Sequence, residues 1–294
     1  MNEYYSEQAI SFKVHEHSLF GILSIPKVKA KAAVIIVVGG PQYRVGSHRQ
    51  FALLARYFAE QGVLALRFDY TGMGYSQGIA KKFYQVDNDI KAAVDFISSH
   101  KCDVSNIYVW GLCDAAAAIS FTAYTDNRID GVILLNPWVR SEASHSKAIL
   151  NNYYRDRLFS LEVWKQLLLS PRKIFNAFNS IGSIFIKIFK LRSKTPQADK
   201  YQEIPVAERE ENIALAMFKG LSKFNGDICL ILSGKDLVAD EFKQVLDENG
   251  WLEEEKNKSK TVVHYVDAAD HTFSSRQWRA MVERISVDLV RNVK

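Results

Sequence analysis

Residues 106–118 read NIYVWGLCDAAAA. Ile107 to Trp110 have the β-branched and aromatic composition of a buried strand, and four alanines after Asp114 open a helix. A strand that turns directly into a helix leaves one side chain on a sharp bend, and the bend accepts only small neighbours. Gly111 and Ala115 meet that need. In a G-x-S-x-G elbow the residue at the bend is serine; here it is Cys113. The start of a helix favours negative charge, so a thiol at this point is expected to ionise more readily than a free one. The alternative for this stretch taken alone is a small buried cysteine with no chemistry.

Similar apolar runs recur on both sides of the elbow. They are 32–38 (AAVIIVV), 63–68 (VLALRF), 131–135 (GVILL), 227–232 (DICLIL) and 261–266 (TVVHYV). None alternates with polar residues, as expected of parallel strands covered by helices on both faces. Ile10–Val14 and Leu19–Ile25, around His15–Ser18, read as an N-terminal antiparallel hairpin. Helical periodicity fills the gaps: 47–61, with Ser47 and Gln50 at capping-box spacing, and 86–98, with Ile90, Ala93, Val94 and Ile97 on one face. The pattern predicts an α/β fold with a mostly parallel sheet flanked by helices. It breaks from 140 to 222, where 158–169, 173–191 and 209–224 read as helices without strands. Residues 1–139 and 223–294 are therefore expected to form one discontinuous core, and 140–222 a helical cap insertion.

The chain has 294 residues, 48% hydrophobic and 24% charged, which excludes a disordered or low-complexity protein. Three cysteines, Cys102, Cys113 and Cys229, make no C-x-x-C pair, a poor framework for disulfides or metal and one that fits a reducing cytoplasm. No metal and no cofactor is expected. The longest apolar run falls far short of the ~20 residues that span a bilayer, and MNEYYSEQAI lacks the basic start of a secretory signal.

Three more stretches carry candidate chemistry. RFDYTGMGYSQG (67–78) places three glycines after a strand. Its spacing is wrong for G-x-G-x-x-G, so a dinucleotide loop is disfavoured. LILSGKDLVADEF (230–242) brings Asp236 just beyond a strand end, with Asp240 as a competing acid. HYVDAADHTFS (264–274) places His271 before the last helix; Asp267 and Asp270 are read as shaping that turn. The order Cys113, Asp236, His271 is nucleophile, acid, base, each at the carboxyl end of its own strand, where open α/β sheets bind ligands. Two backbone N–H donors are needed for an oxyanion. Asp114 follows the nucleophile; in Gly39-Gly40-Pro41 the proline has no N–H, which leaves Gly40, with Gln42 as the alternative.

DYTGMGYS (69–76) is similar to the D-x-R-G-x-G-x-S loop of α/β-hydrolases, with Thr71 in place of arginine. Together with GGPQYRVGSHRQF (39–51), GLCDAA (111–116) and ADHTFS (269–274), it resembles the first of two families of exosortase A system-associated hydrolases over nearly the whole chain. That resemblance implies an α/β-hydrolase fold and a setting near exopolysaccharide synthesis and exosortase-dependent sorting, and it names no substrate. The residues themselves point to acyl chemistry on an ester, thioester or lactone, small or carrier-bound, through a Cys-His-Asp triad and an acyl-enzyme. An acyltransferase with the same triad and a non-catalytic scaffold are the alternatives.

The formal net charge of +5 is concentrated in 171–194 (PRKIFNAFNSIGSIFIKIFKLRSK), which carries six basic residues and no acid. The rest of the chain is near neutral, and nucleic-acid binding has no motif to support it. Ile174, Phe178, Ile181, Phe185 and Ile188 form an apolar stripe. Such a helix suits either a cap over the cleft or a peripheral contact with an anionic membrane face or a partner. Arg44 and Arg49 are candidates for meeting an anionic substrate, or are simply solvated.

Overall fold

The central strands bury alternate residues on opposite faces, which is why their sequences are apolar throughout. Ala33, Ile35 and Val37 join one core cluster and Val34, Ile36 and Val38 the other. The computed structural model describes residues 3–40, 42–100, 104–140 and 203–291. The chain divides into two units, residues 1–140 with 203–294, and residues 141–202. The first is described here.

Its sheet has eight strands: β1 (Tyr5–Val14), β2 (His17–Pro26), β3 (Ala32–Val37), β4 (Leu64–Asp69), β5 (Asn106–Leu112), β6 (Ile129–Leu135), β7 (Asp227–Ser233) and β8 (Thr261–Val266). Their spatial order is β1-β2-β4-β3-β5-β6-β7-β8. β1–β2 and β2–β4 pair antiparallel, and every later pair is parallel. The N-terminal hairpin is longer than its apolar stretches, because its outer residues face solvent; His15, at φ 49°, makes the tight turn. The helices α1 (Gln50–Glu60), α2 (Asp87–Ser99), α3 (Asp114–Thr122), α4 (Val206–Glu211), α5 (Ile213–Lys223), α6 (Leu237–Asn249), α7 (Glu255–Lys258) and α8 (Arg276–Arg291) complete the unit. One face packs α2, α3 and α5 through Val94, Phe121 and Met217, and the other packs α1 and α8 through Phe51, Phe58 and Val287. The expected mostly parallel sheet between helices is the observed one.

Three local expectations differ. The Ser47–Gln50 capping box does not form. Ser47 turns its N–H and hydroxyl to Gln42 Oε1, α1 begins after left-handed Arg49 without a side-chain cap, and Gln50 Nε2 is buried without a partner. The helix expected over 209–224 is broken at Asn212, whose φ of −147° ends α4 and whose side chain accepts from Leu215 N–H to start α5. Both helices belong to the core unit rather than to the insertion: Ile213, Met217 and Leu221 pack in the main cluster, and buried Arg209 holds Asp87 at 2.7 Å. The readings on 158–169, 173–191 and the basic stretch 171–194 lie outside the described residues, as does Cys102. Among the described residues, no helix is long and apolar enough to cross a membrane.

Candidate active site

β5 delivers Cys113 to the carboxyl edge of the sheet in a conformation that L-residues rarely adopt, φ 62° and ψ −121°. The surroundings over-determine it. Cys113 N–H donates to Leu135 C=O at 2.8 Å, and its own carbonyl accepts from Trp138 N–H at 3.1 Å and Ala117 N–H at 3.2 Å. A Cβ at Gly111 would lie 2.9 Å from the Ala115 carbonyl carbon and 3.0 Å from the Ala116 nitrogen, backbone atoms of the following helix, so the elbow favours glycine there.

Asp236 stands at the N-cap of α6. It accepts from Val238 and Ala239 N–H, and its Oδ2 meets His271 Nδ1 at 2.8 Å. The Asp236 side chain is 8% exposed and the imidazole about a third exposed, so the carboxylate is shielded while the ring reaches the cleft. Asp240 lies one helical turn on, mostly exposed and paired with Lys243; it does not meet the imidazole. Asp270 accepts from Ser274 N–H and hydroxyl, and so shapes the turn before α8.

The structure also brings in Asn136, which the sequence analysis passed over. Fully buried at φ 40°, it accepts from Ser233 N–H at 2.9 Å and donates through Nδ2 to His271 C=O at 2.9 Å. One side chain thereby ties the ends of β6 and β7 to the histidine loop. Its signal was the Asn136-Pro137 pair directly after a strand, a turn-forming dipeptide.

Cys113 and His271 line one cavity of about 380 Å³ together with Gly39, Gly40, Gln42 and Asp114. Phe51, Phe83, Leu112 and Trp138 supply its apolar walls. A second depression of about 420 Å³, framed by Tyr43, Met73 and Tyr75, shares Gln42 with it. Arg44, partly buried, is ion-paired to fully buried Asp69 and lies over the Tyr75 ring. Thr71, at the position of the loop arginine, gives its N–H to buried Asp89 at 2.8 Å.

Two features of the site bear on its expected chemistry. Burial pushes the Cys113 thiol up to about 12, and the carboxylates of Asp114 and Asp236 push the same way. The donor at the helix start and the Arg140 charge oppose them without prevailing, so the thiol is protonated at neutral pH. The Gly40 N–H is already in use: it donates to Asp114 Oδ2 at 2.7 Å. Burial raises the Asp114 carboxyl above its ordinary range, against the N–H groups of Gly40, Ala115 and Asp114 itself.

A mostly parallel sheet between helices, with an elbow after β5 and an Asp–His pair after β7 and β8, is the α/β-hydrolase class. The chain belongs to the serine aminopeptidase S33 family (Hydrolase_4), whose profile matches residues 28–175, half of its length. Cysteine stands at its elbow although the family is named for serine. No curated protein sequence matches it. Among solved structures it is similar to Est1E of Butyrivibrio proteoclasticus with ferulic acid bound, at 15% identity and TM-score 0.59, covering 95% of this chain and 98% of that one. It is also similar to the Pyrococcus furiosus esterase Pf2001 (13%, TM-score 0.62, covering 98% and 91%). The α/β-hydrolase GrgF of Penicillium sp. sh18 gives 16% identity and TM-score 0.62, covering 98% and 100%.

Proposed function

We propose that the chain is an acyl hydrolase of the esterase or thioesterase kind, working through Cys113, His271 and Asp236. The observation that carries this reading is the 2.8 Å bond from His271 Nδ1 to Asp236 Oδ2, made by a histidine that shares a cavity with the elbow cysteine. With Nδ1 committed as donor, Nε2 is the base position.

The Cys113 thiol gives its proton to Nε2 as sulfur bonds to the acyl carbon, and the carbonyl π pair moves onto oxygen. When that pair returns, the bond to the leaving group breaks, and the departing alkoxide or thiolate takes the proton from His271. Water, deprotonated by His271, then attacks the thioester; the acid leaves and Cys113 recovers its proton. Asp236 carries no proton through this cycle. It fixes the tautomer and stabilises the imidazolium.

Phe51, Phe83, Leu112 and Trp138 suit an apolar acyl or aryl group. The name of one structural relative, the esterase Pf2001, agrees with an ester bond. GLCDAA and ADHTFS support a setting beside exosortase-dependent systems, and the unpaired cysteines a reducing cytoplasm. The basic stretch 171–194 supports a peripheral contact with an anionic membrane face.

Mass spectrometry of the intact protein after brief exposure to p-nitrophenyl esters of graded chain length tests the reading. Wild type is expected to carry one acyl adduct, on Cys113, and Cys113→Ala none. An adduct that persists in Cys113→Ala, at another residue, would overturn it.

A further inference from the structure

An acyl oxygen held at Cys113 needs N–H donors from the loop after β3 and the first turn of α3, where Gly40 and Asp114 stand. The Asp114 carboxyl already draws on that set of donors. Gly40 N–H donates to Asp114 Oδ2 at 2.7 Å, and the N–H groups of Ala115 and Asp114 itself donate to the same group. Both glycines are suited to this seat. A Cβ at Gly39 would overlap Asp114 Oδ1, so any other residue there would evict the carboxyl. Gly40 has open space around its missing Cβ; what it supplies is a φ of 60°, the angle that aims its N–H at the carboxyl. The mechanism above uses no group of the Asp114 side chain, yet that side chain lines the reaction cavity.

We infer that Asp114 is a gate on the acyl site: its carboxyl sits in the oxyanion position of the resting protein and leaves before a tetrahedral intermediate forms. The inference rests on the acyl chemistry proposed for Cys113. Two oxygen anions cannot share one set of donors, so a carbonyl that arrives while the carboxyl is seated is left without its hydrogen bonds. Substrates whose binding displaces Asp114 turn over, and those that merely fill the cavity do not. The same seat explains a cost built into the site, since the Asp114 charge lies beside the nucleophile and opposes its ionisation.

The test compares p-nitrophenyl butyrate hydrolysis by wild type, Asp114→Ala and Asp114→Asn, each also in a Cys113→Ala background. One oxyanion donor is worth roughly 10²–10³ in kcat. Freeing Gly40 N–H is therefore expected to raise kcat about tenfold or more in Asp114→Ala, with KM changed by less than about twofold. Asp114→Asn keeps an acceptor oxygen of the same reach and is expected to gain less. A purely structural role would move kcat down, not up. Cys113-dependent release by folded Asp114→Ala at or below the wild-type rate overturns the gate alone. Equal gains in Asp114→Ala and Asp114→Asn overturn it too, because they assign the effect to charge and not to an occupied seat. Absence of Cys113-dependent release in every variant overturns the acyl function, and the gate with it. If Asp114→Ala does not fold, Asp114→Ser serves in its place, since its shorter side chain keeps a polar group at the helix start without the reach of the carboxyl to Gly40.

Discussion

Asp236 has two jobs that one substitution can separate. Its carboxylate binds His271 Nδ1 at 2.8 Å, and the same two oxygens cap α6 through Val238 and Ala239 N–H at 3.3 and 3.1 Å. Asp236→Asn keeps the shape and one acceptor oxygen for the cap, but an amide nitrogen or a neutral oxygen now faces the imidazole and the tautomer is no longer fixed. Loss of the corresponding aspartate in a serine triad lowers kcat about 10⁴-fold, or roughly 5.4 kcal/mol of transition-state stabilisation. The cap is worth about 1 kcal/mol, most of which Asp236→Asn retains and Asp236→Ala loses. Both variants are therefore expected to lose kcat by three to four orders of magnitude (roughly 10³–10⁴). Only Asp236→Ala is expected to unfold at measurably lower urea, by about 1 kcal/mol. Hydrolysis of a p-nitrophenyl ester and urea titration followed by circular dichroism read the two effects independently. Asp236→Asn within tenfold of wild-type kcat, or an Asp240→Asn that loses as much, would refute the argument, because Asp240 meets Lys243 and not the histidine.

Asn136→Ala leaves the buried Ser233 N–H and the His271 C=O without partners, and is expected to cost about 2–4 kcal/mol in urea unfolding. Asn136→Asp keeps the first bond but sets an acceptor, and a buried charge, against the His271 C=O, so it is expected to lose at least as much stability as Asn136→Ala; wild-type stability in Asn136→Asp would contradict this. The Cys113 thiol, pushed up to about 12, is only about 10⁻⁴ ionised at pH 8. Because only the thiolate reacts and its share rises with pH, iodoacetamide alkylation of Cys113 is expected to climb steadily through pH 10 without levelling. A plateau near pH 8–9 would restore the thiolate expected from the helix start alone.

The strands were legible because both faces of the sheet are covered: an apolar run such as 32–38 has no solvent side to blur it. The elbow was legible for a related reason, since Gly111, Cys113 and Ala115 are local demands of one bend. What escaped were quantities set by packing and by competing partners. The helix start that should acidify Cys113 is a local feature; burial in the packed elbow reverses it, helped by the charge of the adjacent Asp114 and, from across the chain, of Asp236. Gly40 and Asp114 were singled out as two donors. That one would hold the other's side chain depends on a contact across 74 residues. The capping box at Ser47 failed for a local reason, outcompeted by Gln42 five residues upstream. Asn212 carried a readable signal, because asparagine favours helix starts, and the break in 209–224 falls on it.

A cysteine in a serine-type elbow raises the question of why an Asp–His pair is kept at all. Many reactive cysteines have a depressed pKa and enter as thiolates, for which a fixed base adds little. Cys113 is the opposite case, displaced upward from the ~8.5 of a free thiol by burial and two carboxylates. On the proposed mechanism its nucleophilicity is released only when His271 removes the proton, a step that needs the tautomer set by the 2.8 Å bond to Asp236. Oxidants and alkylating agents, which react with thiolates, meet almost none at neutral pH. A substrate carbonyl brought within reach of both sulfur and imidazole is a different encounter, because attack and proton transfer proceed together. If Cys113 is the nucleophile proposed, suppressing the resting thiolate trades general reactivity for dependence on the aligned pair, and turnover is expected to depend steeply on the position of His271.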